Sequence, residues 1–69
     1  MPLTFANIGE EYIIKRIGGR PDVKKHLEDL GFTAGGLITI VSTTAGNLII
    51  KVKESRIAIN SDMAQKIIV

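Results

Sequence analysis

The chain has 69 residues, a net charge of +2 with acids and bases interleaved, no cysteine or tryptophan, and only one tyrosine and two phenylalanines. A chain this short makes one domain that removes only about 60% of its unfolded surface from water, so a deep substrate cavity of the usual roughly 300 Å³ or more is not expected. Without cysteine there are no disulfides, thiolate metal sites or iron–sulfur ligands, and the small net charge does not by itself point to nucleic acid.

Leu3 to Ile8 reads as a short lead-in, with Gly9 as a turn. It lacks the basic segment and apolar core of a secretory signal, and no apolar run approaches the roughly 20 residues of a membrane span, so a soluble cytoplasmic protein is expected. Glu10 to Ile17 alternates, with Tyr12, Ile14 and Arg16 on one face and Glu11, Ile13, Lys15 and Ile17 on the other. Both faces carry apolar residues, as in a strand that bends where two parts of a barrel meet. Gly18-Gly19 ends it.

Pro21 begins a helix, since its missing N–H is unneeded in the first turn, and Asp22 suits the positive end of the helix dipole. Val23, Leu27 and Leu30 fall at i, i+4 and i+7, an apolar stripe. Gly31 supplies the left-handed stop, with Phe32 folding back onto Leu27. Leu37 to Thr43 is the next strand and Ala45-Gly46-Asn47 its hairpin turn. Leu48, Ile50 and Val52 point inward while Lys51 and Lys53 point to water. After a break at Glu54-Ser55, Ile57 and Ile59 continue the inward pattern, with Arg56, Ala58 and Asn60 outward. Ser61 caps a single helical turn through Ala64, and Lys66 to Val69 is a terminal strand. The pattern is mainly β: a small SH3-like five-stranded barrel with one α-helix inserted after the first long strand. Its competitor is an open α+β sheet with the helix on one face.

Few residues carry chemistry. His26 is the one candidate metal ligand, and Glu28 and Asp29, at i+2 and i+3, do not both face it. Glu10 and Glu11 are adjacent on a strand and face opposite ways, which is wrong for a carboxylate dyad. With a single histidine and no cysteine, nucleophilic catalysis lacks a recognisable base, and no enzyme is expected. Gly18-Gly19 and Gly35-Gly36 match no phosphate-loop pattern and read as turns. Lys24 and Lys25, at i+4 from Glu28 and Asp29, suggest a salt-bridged solvent face. Lys51, Lys53 and Arg56 form a second modest basic group, but stacking platforms for nucleic acid and proline-rich peptide grooves both need aromatics in line. Ile13, Ile38 and Ile49 belong either to a self-interface or to the second half of the core, and oligomeric state stays open.

The chain resembles the FeoA family, ferrous iron transport protein A. The resemblance lies in Gly9 before a bent strand, in Leu27-Glu28-Asp29-Leu30-Gly31-Phe32, in the Ala34-Gly35 turn, and in Leu37-Ile38-Thr39-Ile40-Val41. It continues through Gly46-Asn47, Ile50-Lys51-Val52, Arg56 to Asn60 and Met63 to Val69. Related domains stand at the C-terminal end of DtxR-like metal-dependent repressors. The chain departs from the family pattern at Ala34, where proline is common, near Glu54, where glycine is common, and near Asn60, where arginine is common. The resemblance implies a small cytosolic SH3-like accessory protein that binds the cytosolic region of FeoB, the membrane GTPase transporter of ferrous iron uptake, and so lies at the inner face of the membrane without inserting. It also implies weak binding of a transition metal ion, iron or zinc, with His26 as the candidate ligand. The helical insertion is the element a plain barrel does not need, so Arg20, Lys24, Lys25, Glu28, Thr33, Ala34 and Gly35 are the candidate partner-binding residues. The alternative is a nucleic-acid-binding or metal-regulator-type barrel.

Overall fold

The structure is a computed structural model that describes residues 1–69. After a single 3₁₀ turn at Leu3–Phe5, the elements run β1 (Glu11–Ile13), β2 (Arg16–Ile17), α1 (Pro21–Asp29), β3 (Leu37–Thr44), β4 (Asn47–Val52), β5 (Ser55–Asn60), α2 (Ser61–Ala64) and β6 (Ile67–Ile68). An antiparallel sheet of order β1-β3-β4-β5 is accompanied by a two-stranded antiparallel sheet of β2 and β6. The mainly β, SH3-like architecture is therefore as expected, with six short strands in place of five.

The extra strand comes from the bend. The long first strand is interrupted at Ile14 and Lys15, so that β1 pairs with β3 and β2 with β6. Ile14 and Ile17 are both buried although three apart, which an unbroken strand of period two does not allow. The interruption resets the phase and leaves Ile13 exposed. Ile14 is held there by the loop after α1, donating its N–H to Gly36 O at 2.9 Å and accepting from Gly35 N at 2.7 Å.

The stop of α1 forms as the sequence indicates. Phe32 N–H reaches back to Leu27 O at 3.0 Å and Gly31 N–H to Glu28 O at 2.9 Å, the paired bonds of a Schellman motif, with Gly31 at φ +110°. Leu27 and Phe32 are wholly buried, and Val23 and Leu30 pack half-buried beside them. The helix thus contributes its stripe to a core of 14 residues that includes no polar or charged side chain. Ile38 and Ile40 of β3, Leu48, Ile50 and Val52 of β4, and Ile59 of β5 face it from the larger sheet. Val41 forms a bulge between Ile40 and Ser42. Of the three isoleucines left open by the sequence, Ile38 is core, Ile49 half-buried and Ile13 exposed.

Three local expectations change. The helical turn of α2 is capped by Asn60, whose side chain accepts from Met63 N at 2.8 Å, and not by Ser61; the amide one residue earlier has the reach to the third N–H. Leu3 is fully buried and Pro2 bridges to Ile68, so the lead-in is part of the fold. Lys53 and Glu54 make the hairpin turn, with β5 already starting at Ser55, and Lys53 adopts φ +56°.

Candidate functional site

Two surfaces meet at the loop 33–36. The first is the flank of α1. Arg20 is its N-cap residue, and Lys24, Lys25 and Glu28 are exposed along it. Thr33, Ala34 and Gly35 are exposed in the loop that follows. Gly36 N–H donates to Thr33 O at 3.0 Å, closing a four-residue turn in which Gly35 has φ +87° and Ala34 does not enter the positive region. That is the pattern of a type II turn, which favours glycine at its third position and proline at its second. A Cβ on Gly36 would stand 3.1 Å from Thr33 O, so the turn is tight on that side as well. The seven candidate residues therefore lie on one exposed stretch of helix and loop.

The expected ion pairs along that flank do not form. The sole salt bridge joins Arg20 to Asp22 at 3.6 Å between exposed side chains. Lys24 and Lys25 are solvated, since holding two long side chains together offsets most of the attraction of an exposed pair. His26 is exposed, and no group of three or more histidine, cysteine, aspartate or glutamate side chains gathers to hold a metal ion.

The second surface is a cleft of about 460 Å³ on the outer face of the larger sheet, lined by Glu11, Gly35, Leu37, Thr39, Lys51 and Lys53. Register explains it. Glu11 stands opposite Thr39, Thr39 opposite Lys51, and Lys51 opposite Arg56, so these four form one row across all four strands. Ile13 stands opposite Leu37 in the neighbouring row, and both are exposed. Gly35 closes the end of the cleft next to the helical flank. The sequence shows Lys51, Lys53 and Arg56 as outward and basic, but not the row they share with Thr39 and Glu11; strand register carries that information.

Aromatic side chains take no part in either surface. Phe32 is core, and Phe5 is exposed at the N-terminal turn. The Tyr12 hydroxyl accepts from Asn7 N at 2.9 Å and donates to Glu10 Oε2 at 2.9 Å. With a further bond from Asn7 Nδ2 at 3.2 Å, these donors hold the Glu10 carboxyl below its usual range, the tyrosine having the larger effect. No helix is long and apolar enough to cross a membrane.

Comparison with known proteins agrees along the full length. The FeoA domain model matches residues 1–69. A Methanocaldococcus jannaschii protein named for Fe(2+) transport is 37% identical over 68 residues, spanning 99% of this chain and 83% of that protein. Among solved structures, an iron uptake regulatory protein (FeoA) superposes with a TM-score of 0.88 at 26% identity, over 97% of this chain and 91% of its own. A zinc complex of Stenotrophomonas maltophilia FeoA, described as an SH3 domain protein, superposes with a TM-score of 0.86 at 18% identity over 99% and 87%. A manganese-dependent transcriptional repressor shares the fold with a TM-score of 0.88 at 17% identity, over 97% of this chain but 39% of its own.

Proposed function

Because the chain belongs to the FeoA family, we propose that it is a cytosolic accessory protein of ferrous iron uptake that docks on the cytosolic region of the membrane GTPase transporter FeoB. The observation that carries this reading is the match of the family across all 69 residues, with a curated iron-transport relative at 37% identity. On this reading the chain contributes a surface and not a reaction. The flank of α1 with Arg20, Lys24, Lys25 and Glu28, continued by Thr33, Ala34 and Gly35, is the docking surface. Its support is exposure together with rigidity: a loop tied by two backbone bonds to Ile14 and a helix anchored by buried Leu27 present fixed geometry. Charges at such a rim tune association and its salt dependence, each pair worth under about 1 kcal/mol.

The test is capture of the purified chain by the soluble GTPase region of the transporter, with and without nucleotide. Binding is expected, weakened by Lys24→Glu/Lys25→Glu. Unchanged affinity of that double variant removes the helix from the interface, and absence of capture removes the transporter reading.

A second reading is favoured by the zinc complex of the S. maltophilia relative. Here His26 supplies one ligand to a transition metal ion, iron or zinc, and a second molecule supplies the others, since no acidic or histidine cluster surrounds it in this chain. Titration with zinc while the His26 ring resonances are followed by NMR decides it. Shifts that grow with protein concentration fit a shared ion, and a static ring at millimolar metal rules it out.

A further inference from the structure

We propose that the cleft on the outer sheet face is a docking groove for an extended acidic protein segment carrying an aliphatic residue. This surface shares only Gly35 with the α1 docking surface, and its argument does not depend on the transporter.

Charge is the first reason. Lys51, Lys53 and Arg56 are exposed on neighbouring positions of β4, the following turn and β5, and the chain's single ion pair lies elsewhere, at the start of α1. These three cations therefore have no carboxylate partner within the molecule. Glu11 lies at the far end of the same row, beyond Thr39, and makes no ion pair with them. It gives the groove a polarity across the strands: acidic side chains of the segment belong toward Lys51 and Lys53 and away from Glu11.

Apolar exposure is the second reason. Leu37 is 50% exposed and Ile13 58%, and they face each other across β1 and β3. A cross-strand aliphatic pair left open beside unpaired lysines is a mixed surface that neither solubility nor the core requires. Its spacing suits a strand-like ligand. Leu37 and Thr39 are two residues apart on β3, about 6.8 Å along the strand, which is also the repeat of same-side side chains in an extended segment. An aliphatic side chain over Leu37 and Ile13 thus brings the next same-side carboxylate over the Thr39–Lys51 row. Lys53 adds a third indication. It holds a left-handed φ of +56° at the hairpin tip, a conformation glycine adopts freely, and yet carries a cationic side chain that lines the cleft.

The other occupants fit less well. None of the six lining residues is aromatic, so bases find no stacking platform. A second copy related by a two-fold axis would reverse the row, but its single Glu11 offers one carboxylate to Lys51, Lys53 and Arg56 and leaves cations unpaired between chains that each carry +2.

The experiment is a titration of the ¹⁵N-labelled full chain with the synthetic peptide Gly-Ser-Glu-Leu-Glu-Asp-Leu-Glu-Ser-Gly, read by amide shifts. Shifts at Ile13, Gly35, Leu37, Thr39, Lys51 and Lys53 are expected, weakening as salt is added. Lys51→Glu/Lys53→Glu should lose affinity by about tenfold or more. Its spectrum should stay dispersed because both side chains are exposed, and Lys51→Gln/Lys53→Gln should show the same loss more mildly. The inference is overturned by no shifts at millimolar peptide, by shifts confined to the α1 flank, by equal binding of a peptide with lysine in place of its acids, or by the same amides responding to anionic phosphatidylserine vesicles and not to the peptide. Shifts of these amides on raising protein concentration without peptide would assign the face to a second copy instead. The assay contains no transporter, so its failure leaves the docking of α1 standing, and failure of transporter capture leaves this result intact.

Discussion

The two faces of the β1-β3-β4-β5 sheet are built from the same strands and obey opposite rules. On the inner face, Ile38, Ile40, Leu48, Ile50, Val52 and Ile59 are each less than a tenth exposed, and no polar group is buried with them. On the outer face, Glu11, Thr39, Lys51 and Arg56 form a row beside an uncovered aliphatic pair. The alternation of strands permits this separation: a change on one face barely reaches the other. In a domain this small the inner face has no freedom to vary, because a thin core supplies nearly all of the stabilisation. Recognition is left to the outside, where substitutions carry little penalty in folding.

The contrast breaks most visibly at the core. Leu27→Gln puts an unpaired amide where a fully buried leucine seals α1 onto the sheets, and should destabilise by roughly 3–5 kcal/mol. That is comparable to the whole stability of such a domain at about 0.05–0.15 kcal/mol per residue, so urea denaturation should show a largely unfolded chain. Leu37→Thr on the outer face should stay within about 0.5 kcal/mol of the parent in the same assay. Similar losses for both would erase the distinction.

Two turn substitutions sharpen it. Ala34 occupies the second position of a type II turn and its N–H makes no backbone bond, so Ala34→Pro should raise stability by about 0.4–1 kcal/mol by restricting the unfolded chain. A lower denaturation midpoint would show that the turn is misassigned. Lys53→Gly relieves a left-handed conformation worth about 1–2 kcal/mol but returns backbone freedom to the unfolded state, for a net gain of about 0.5 kcal/mol. It should also weaken the acidic peptide, so stability and binding should move in opposite directions at this one position.

The smallest effect concerns Glu10. Its carboxyl is held below its usual range first by the Tyr12 hydroxyl and then by the Asn7 amide. The stabilisation it provides is therefore complete above the unfolded-state pKa and disappears as pH falls through the lower folded-state value. In Tyr12→Phe the larger donor is gone, so the Glu10 midpoint followed by NMR should rise and less stability should be lost on acidification. An unmoved midpoint would deny the tyrosine its part.

What the sequence revealed was local, and what it concealed depended on pairing. The α1 stop, the inward alternation of β4 and the turn at Gly35 are each determined by residues within one or two turns of chain, so the pattern at Leu27-Glu28-Asp29-Leu30-Gly31-Phe32 was legible directly. The departures from family pattern also acquire physical meaning: Ala34 is where a proline would suit the turn, and Lys53, next to Glu54, is where a glycine would be unstrained. The change of phase at Ile14 was only partly legible, because apolar residues on both faces announce a bend without saying which isoleucine stays outside. Salt bridges of α1 were inferred from spacing alone, and spacing does not overcome the solvation of exposed lysines. The outer row escaped notice because Glu11, Thr39, Lys51 and Arg56 come from four strands and only register aligns them.

The backbone hydrogen bonds that join Ile14 to Gly35 and Gly36 have a mechanical consequence. A residue whose side chain is sealed inside the molecule hangs from the same backbone that forms the rim of both outer surfaces. Whatever steadies Gly35 from outside must also restrain the strand crossing at Ile14, so occupancy at the rim should be recorded as slower amide exchange in the interior, several residues from any contact.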